Sequence, residues 1–233
     1  METYGLTPSC DWCAGDLETS DGQTRFRIVH RGAERAIVQL PMVGKFNVLN
    51  ALAAAAVAFN RGIPRAAIEH ALQTFRSVRR RMEVRGVVGG VTVVDDFAHH
   101  PTAIRETIQA ARLRWPGRRL WAVVEPRSNT MRRKVFEGVL PAALGGADAV
   151  VLGPVNRPQL LSDAERLSPE AVVTALRATA RPAHALNSAA EIAEYLLQKT
   201  LPGDVVLVMS NGDFGGLCGL LLEKLSSRTG ASR

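Results

Sequence analysis

The stretch over residues 91–104 restricts the fold of this chain more than any other. It reads VTVVDDFAHHPTAI: a β-branched run, two acids, an aromatic residue, two histidines, and a proline that opens a helical pattern. A continuous apolar run suits a strand that is buried on both faces, as strands are in the parallel sheets of α/β proteins. Ligands of such sheets bind at the carboxyl ends of the strands. The polar residues at 95–100 are therefore predicted to lie at a ligand-binding edge.

Strands and helices alternate through the rest of the chain beyond this point. Apolar runs predict strands over 91–97, 120–125, 148–153, 183–186 and 204–210. Helical periodicity predicts helices over 102–113, 131–143, 168–179, 188–199 and 214–226. This alternation predicts an α/β fold with a Rossmann-like, mostly parallel sheet flanked by helices.

The upstream part of the chain has a different pattern. The runs RFRIVH and AIVQLP, joined by RGAER, predict a β-hairpin with a glycine turn. Helical patterns follow over 47–61 and 65–74. The segment 75–85 is dense in arginine and breaks the periodicity, so we predict two domains, 1–79 and 80–233.

The charge and aromatic content of the chain indicate which classes of ligand it can bind. The net charge is +7, but the basic residues are dispersed and aromatic content is only 5%. Small polyanions are thus better candidates than nucleic acid, which needs a stacking platform when single-stranded. No apolar run is long enough to span a membrane and no secretory signal opens the chain, so we expect a cytoplasmic protein. The lone C-x-x-C of Cys10 and Cys13 is interpreted as incidental thiols, and no metal site is predicted.

Two asparagines stand at the start of the alanine-rich helical pattern. Asn47 and Asn50 are three residues apart and share one face of the first turn. Their amides suit the edge of a purine or a ribose. Capping of the helix by Asn47 explains the same residues equally well.

Polar side chains also lie at or just beyond the carboxyl ends of three of the predicted strands. Asp96 could hold a ribose or a cation, or else cap the next helix. His99 and His100 are adjacent and point two ways, so one would bind substrate while the other packs. Arg127, followed by Ser128 and Asn129, could fork onto a carboxylate, although a polar turn with a solvated arginine is the alternative. Asn211 lies in the glycine-rich loop SNGDFGG, whose amides could approach a ligand.

Five motifs together resemble the Mur ligase family, the ATP-dependent enzymes that build peptidoglycan peptides. They are GKFNVLNALAA, RRRMEV, VVDDFAHHPTAI, EPRSNTMR and MSNGDFGG, and they extend over residues 42–222. The resemblance implies that 1–79 is the end of the central ATPase domain and 80–233 the C-terminal domain. The best match within the family joins UDP-N-acetylmuramate to the tripeptide L-Ala-γ-D-Glu-meso-diaminopimelate in peptidoglycan recycling. Alternatives are the ligase that adds L-alanine to UDP-N-acetylmuramate and a non-catalytic peptide- or nucleotide-binding module.

The resemblance also implies roles for individual residues, with ATP and Mg²⁺ as cofactors. The implied ATP-binding residues are Asn47, Asn50, Arg81 and Asp96. The implied peptide-binding residues are Arg127, Ser128, Asn129, His99, His100 and Asn211. Phe46 departs from the histidine that the family usually has before the first asparagine.

The 233 residues contain no G-x-x-x-x-G-K-[ST] phosphate loop. In the family this loop and the magnesium-binding acids lie upstream of the region that the chain resembles. We therefore expect the chain alone to be inactive as a ligase. The missing groups would have to come from an upstream part of the same protein or from a separate N-terminal half.

Overall fold

The computed structural model describes residues 1–230, which form two compact units. The first unit comprises Met1–Val78 with Leu113–Pro116, and the second comprises Arg79–Arg112 with the described chain from Gly117 onward. None of the described helices is both long and apolar enough to cross a lipid bilayer.

The first unit contains one four-stranded sheet and two helices. They are β1 (Tyr4–Gly5), β2 (Trp12–Ser20), β3 (Gln23–His30), β4 (Ala33–Leu40), α1 (Lys45–Asn60) and α2 (Arg65–Gln73). The strands follow the order β1-β2-β3-β4, and the predicted hairpin between β3 and β4 is confirmed. Its turn residues, Arg31 and Gly32, have φ of 49° and 81°. Positive φ at both positions gives the turn the twist of the strands that it joins.

The Glu2 carboxylate connects the N-terminal segment of this unit to its sheet and first helix through hydrogen bonds. It accepts hydrogen bonds from Trp12 Nε1 at 2.9 Å and from Asn60 Nδ2 at 2.7 Å. His30 Nε2 lies 3.1 Å from the same carboxylate, and its ring stacks on Trp12 with 4.0 Å between centroids. These hydrogen bonds, that from Trp12 first, lower the pKa of Glu2 to about 2.

The second unit is built on a six-stranded sheet in the order β5-β6-β10-β7-β8-β9. The strands are β5 (Glu83–Val88), β6 (Val91–Asp96), β7 (Leu120–Val124), β8 (Ala149–Leu152), β9 (Ala183–Ala185) and β10 (Val205–Met209). The helices are α3 (Pro101–Arg114), α4 (Leu140–Leu144), α5 (Pro169–Ala178), α6 (Ala189–Lys199) and α7 (Leu217–Gly230). Every pairing is parallel except that of β5 with β6. The predicted fold class is confirmed.

Helices cover both faces of this sheet. The steps from β6 to β7, β8 and β9 all run in one direction, so right-handed connections place α3, α4 and α5 on one face. The return from β9 to β10 places α6 on the other face, where α7 packs beside it. Alternate strand residues such as Val93, Val123 and Val208 join Leu196 and Leu221 in the core on that side. Burial on both faces explains why these strands are almost wholly apolar.

Two elements of the second unit differ from the sequence prediction. The predicted helix over 131–143 is wrong for most of its length, since only a 3-10 turn at Lys134–Phe136 and α4 form there. Gly138 and Pro141 weaken a continuous helix, because glycine costs entropy and proline removes a backbone donor. The edge strand β5 was not predicted, because it lies beside the arginine-rich segment and none of its residues is fully buried.

Candidate functional site

Three neighbouring strands end side by side at the carboxyl edge of the second unit. Met209, the last residue of β10, is in register with Asp96 of β6 and with Val124 of β7. The segments that follow these strands therefore emerge together. The chain turns to one face after β6 and β7 but to the other face after β10, and such a switch opens a crevice at the carboxyl edge.

The Asp96 side chain is buried at this carboxyl edge of the sheet. The residue is only 2% exposed, and its carboxylate accepts from the Met82 N–H at 2.9 Å and the Ala98 N–H at 2.8 Å. Thr107 Oγ1 donates to it at 3.3 Å. Burial raises the pKa of Asp96, against the opposing effects of these hydrogen bonds and of the Arg81 charge. Because all these partners are internal, contact between Asp96 and a ribose stays a prediction.

Arg81 lies on the surface close to this carboxylate. Its guanidinium carbon is 5.5 Å from the centroid of the Phe97 ring, a cation–π contact that fixes the side chain beside the edge. The side chain is exposed and positively charged, as a phosphate contact requires.

Arg80 is a site residue that the sequence prediction missed. Its Nη2 donates to the carbonyls of Ser210 at 2.5 Å and Gly212 at 2.6 Å, and its Nε donates to Asp95 at 3.2 Å. Arg80 thereby ties the segment before β5 to the loop after β10. Within a run of arginines no local pattern distinguishes it from its neighbours.

The two adjacent histidines have different contacts. His99 Nδ1 lies 2.8 Å from the Phe97 carbonyl, and the His99 carbonyl accepts from Ser128 Oγ at 3.5 Å. His100 is exposed and packs edge-on against Phe136, with 4.9 Å between ring centroids. His99 therefore borders the segment that carries Ser128, and a substrate contact by either ring stays a prediction.

Arg127 is held by a buried network that connects two strands. Glu125, the first residue after β7, is 6% exposed and accepts from Arg127 Nη1 at 3.3 Å. Its other oxygen accepts from the hydroxyl of Ser210, the first residue after β10. The Gly212 N–H in turn donates to Ser210 Oγ at 2.9 Å. Glu125 and Ser210 were not among the predicted site residues, although both follow the rule that identified Asp96: they are polar residues at the carboxyl end of a buried strand.

The turn after Arg127 is ordered by its own side chains. Ser128 Oγ accepts from the Met131 N–H at 3.1 Å, and Asn129 Oδ1 accepts from Arg132 Nη2 at 2.8 Å. Arg132 is 8% exposed and donates further to the Asn156 carbonyl at 3.3 Å. Arg132, which the sequence prediction also missed, thus connects the turn after β7 to the loop after β8.

These residues border an open cavity of about 470 Å³. Its lining consists of three arginines, three asparagines, a serine and a leucine: Arg127, Ser128, Asn129, Arg132, Asn156, Arg157, Leu160 and Asn211. Asn211 Oδ1 is buried and has no hydrogen-bond partner among residues 1–230. The structure therefore brings four of the predicted peptide-binding residues to one cationic cavity.

Asn47 and Asn50 belong to the first unit. Helix α1 begins after Gly44, whose φ of 100° suits glycine, and Asn47 lies within the first turn. Its Nδ2 donates to the Val43 carbonyl at 2.7 Å. The alternative that Asn47 caps the helix is therefore wrong, because the cap position is Gly44. Asn50 is exposed one turn further on, and Phe46 is half-buried.

Among the described residues, no three histidine, cysteine, aspartate or glutamate side chains come close enough together to hold a metal ion. Cys10, Cys13 and Cys218 are free thiols.

The second unit thus defines a class of protein: an α/β domain that presents a cationic cavity at the carboxyl edge of its sheet, suited to an anionic ligand. Comparison with known families gives the particular assignment. Residues 80–212 match the family model described as "Mur ligase, glutamate ligase domain", and residues 1–58 match "Mur ligase middle domain". The chain belongs to the Mur ligase family, and the resemblance found from its motifs is confirmed.

Two curated relatives illustrate the match. The UDP-N-acetylmuramate–L-alanyl-γ-D-glutamyl-meso-2,6-diaminoheptandioate ligase of Escherichia coli K12 is 38% identical over 95% of this chain and 46% of its own length. The UDP-N-acetylmuramate–L-alanine ligase of Desulfitobacterium hafniense is 32% identical over 91% of this chain and 47% of its own length. The chain spans about half the length of the curated relatives it matches.

Solved structures show the same relationship. A murein peptide ligase from Psychrobacter arcticus is 33% identical with a TM-score of 0.68, over 96% of this chain and 46% of that one. The UDP-N-acetylmuramate–alanine ligase of Thermotoga maritima has a TM-score of 0.80 over 100% of this chain and 48% of that one. At 22% identity, the second likeness concerns the fold alone.

Proposed function

We propose that this chain carries the C-terminal part of an ATP-dependent amide ligase that joins UDP-N-acetylmuramate to L-Ala-γ-D-Glu-meso-diaminopimelate in peptidoglycan recycling. In this proposal residues 1–79 are the end of the middle domain and residues 80–233 are the C-terminal domain. The observation that carries the proposal is the cationic cavity around Arg127. The relative from Escherichia coli, whose name specifies this substrate pair, supports the choice of substrates.

The cavity offers the groups that a peptide with several carboxylates requires. The Arg127 guanidinium is suited to a carboxylate, because its planar fork can donate two parallel hydrogen bonds. Asn129 uses its carbonyl oxygen on Arg132, which leaves its amide hydrogens for the same ligand. We propose that the Asn211 side chain, which also lines the cavity, contacts the peptide. Ser128 and His99 would border the ligand, with His100 further out on the surface.

Amide formation needs an amine held against an activated carboxylate, and positioning supplies much of such catalysis. In the proposed reaction ATP supplies the activation of that carboxylate. We propose that Arg81 faces the phosphates of ATP and that Asn47 and Asn50 face its base and sugar. Asp96 would hold the ribose, and it already fixes the backbone beside Arg81 through the Met82 N–H.

We assign no magnesium ligand to the described residues, since none of them form a suitable cluster. The sequence has no phosphate loop either. We therefore propose that these 233 residues alone are inactive and that a part of the protein outside them, on the same or on a separate polypeptide, carries these groups. An ATPase assay with UDP-N-acetylmuramate and the tripeptide tests this, because turnover by the chain alone would contradict it.

Calorimetric titration of the tripeptide into the full chain tests the substrate assignment. We expect binding that is lost in Arg127→Ala and retained in Arg133→Ala. Arg133 is a matched control, because it forms an exposed ion pair with Glu165 at the same 3.3 Å that separates Arg127 from Glu125. Equal affinity of the wild type and Arg127→Ala would reject the assignment.

The L-alanine-adding ligase is a second candidate, because relatives of that name are 32–36% identical to this chain. Titration with free L-alanine discriminates between the two. Binding of L-alanine without binding of the tripeptide would favour this candidate, whereas the first proposal predicts the reverse.

A further inference from the structure

We infer that Glu125 is a positioning residue that holds the Arg127 guanidinium ready for the carboxylate of the peptide. This inference rests on the proposed function, in which Arg127 contacts the ligand. Glu125 itself does not line the cavity; it lies behind Arg127, with its carboxylate shared between Arg127 Nη1 and the Ser210 hydroxyl.

Gly212 provides the surface on which Arg127 rests. A Cβ atom at position 212 would lie 2.0 Å from Arg127 Nε and 2.3 Å from its Cδ and Cζ atoms. The arginine side chain therefore lies flat against the backbone of the loop after β10, where any larger residue would displace it. Gly212 does not have a positive φ, so space and not backbone conformation excludes a side chain there.

Ser210 joins these two contacts into one unit. Its hydroxyl donates to Glu125, while its oxygen accepts the Gly212 N–H at 2.9 Å. The residue is 1% exposed, so this hydroxyl has little competition from water. Glu125, which orients Arg127, and the Gly212 backbone, against which Arg127 packs, are thus held together by Ser210.

The opposite charges of Glu125 and Arg127, and the single hydrogen bond between them, explain why Arg127 can still bind a ligand. A buried carboxylate is costly unless it is paired, and Arg127 supplies the opposite charge. Only one of the five N–H donors of Arg127 takes part in a hydrogen bond within the described chain, so the others remain for a ligand. The Arg127 side chain keeps 35% of its surface exposed, whereas that of Glu125 keeps 8%. An arginine held at one nitrogen loses less freedom when a carboxylate binds at the rest.

Two variants of the full chain perturb the position of Arg127 in different ways. Glu125→Gln keeps an oxygen for the Ser210 hydroxyl but removes the charge that holds Arg127. Gly212→Ala keeps both charges and pushes the guanidinium away. Matched controls are Glu165→Gln, which breaks an exposed ion pair of the same length, and Gly138→Ala, where an added Cβ meets nothing within 4 Å.

Two measurements apply to each variant: calorimetric affinity for the tripeptide, and the NMR order parameter of the Arg127 Nε–H group, assigned by its loss in Arg127→Lys. We expect about tenfold weaker binding and a lower order parameter in both test variants, with neither change in the controls. A merely structural glutamate would change stability without altering the order of Arg127.

The outcomes separate this inference from the proposed function. Wild-type affinity and an unchanged Arg127 order parameter in both test variants would overturn the inference, while loss of binding in Arg127→Ala would still support the proposed function. If the wild type does not bind the tripeptide, the proposed function fails. The order parameter then decides the positioning role by itself.

Discussion

Replacing Asp96 with alanine tests how much the carboxyl edge depends on one buried side chain. The change leaves the N–H groups of Met82 and Ala98 without the acceptor that they now have at 2.9 and 2.8 Å. Each buried donor that loses its partner costs about 1–3 kcal/mol, or about 2–6 kcal/mol for two. Removing a carboxylate that is costly to bury offsets part of this loss. We therefore expect the free energy of unfolding to fall by about 3 kcal/mol.

Urea unfolding followed by the fluorescence of Trp121, which is buried in the same unit, measures this loss. Asp163→Ala is the control, since that side chain is 90% exposed and should change stability by less than about 0.5 kcal/mol. A loss below about 1 kcal/mol in Asp96→Ala would refute the reasoning, because the two backbone donors would then have found other acceptors.

The same side chain gives a prediction about pH. Burial raises the pKa of Asp96 above its ordinary value of 3.8, so the folded state keeps this proton to a higher pH than the unfolded state does. The contribution of Asp96 to stability is therefore greatest at acid pH and falls as the pH rises from 3.8 through the folded-state pKa. Asp96→Asn lacks this dependence. Parallel pH profiles for the two proteins would contradict the assignment of the shift to burial.

Three other predictions concern stability and reactivity. Glu2→Gln should remove a stabilisation that the wild type has fully above pH 4.5 and loses as the pH falls toward about 2; acid unfolding in the first unit measures it. Gly153→Ala should lower the free energy of unfolding by about 1–3 kcal/mol, because the new Cβ would lie 2.6 Å from the Phe214 ring, as urea titration would show. Burial raises the pKa of Cys218 to about 12, so, with the other cysteines replaced by serine, it should react with a disulfide reagent at pH 8 at least about a hundredfold more slowly than free cysteine.

The central strands could be predicted from the sequence because each one is buried on both faces. The segments LWAVV and VVLVM are apolar throughout, and all residues of β7 and β10 are buried. A strand that is buried on both faces needs only apolar residues, and an apolar run can be recognised from the local sequence. β5 has no such apolar run, since arginine and glycine are among its residues. It is an edge strand, and β6 is its partner within the described sheet.

The failed helix over 131–143 shows the opposite case. Its apolar residues include Met131 and Leu140, both fully buried, so the periodicity is real. The intervening chain is shaped instead by Arg132, whose side chain bonds to Asn129 and to the carbonyl of Asn156. Those partners come from two loops that meet only after the sheet has formed, so tertiary contacts override the local pattern.

Strand order explains why the sequence revealed only part of the candidate site. Residues at or just beyond the end of a single strand, such as Asp96 and Arg127, could be found from the rule that ligands lie at carboxyl ends. The contact between Glu125 and Ser210 requires that β10, the last strand in the chain, insert beside β7. The same insertion brings the Ser210 carbonyl within 2.5 Å of Arg80 on the other side. Since nothing local in VVLVMS encodes its neighbours, the residues that hold Arg127 become recognisable only once the order of the strands is known.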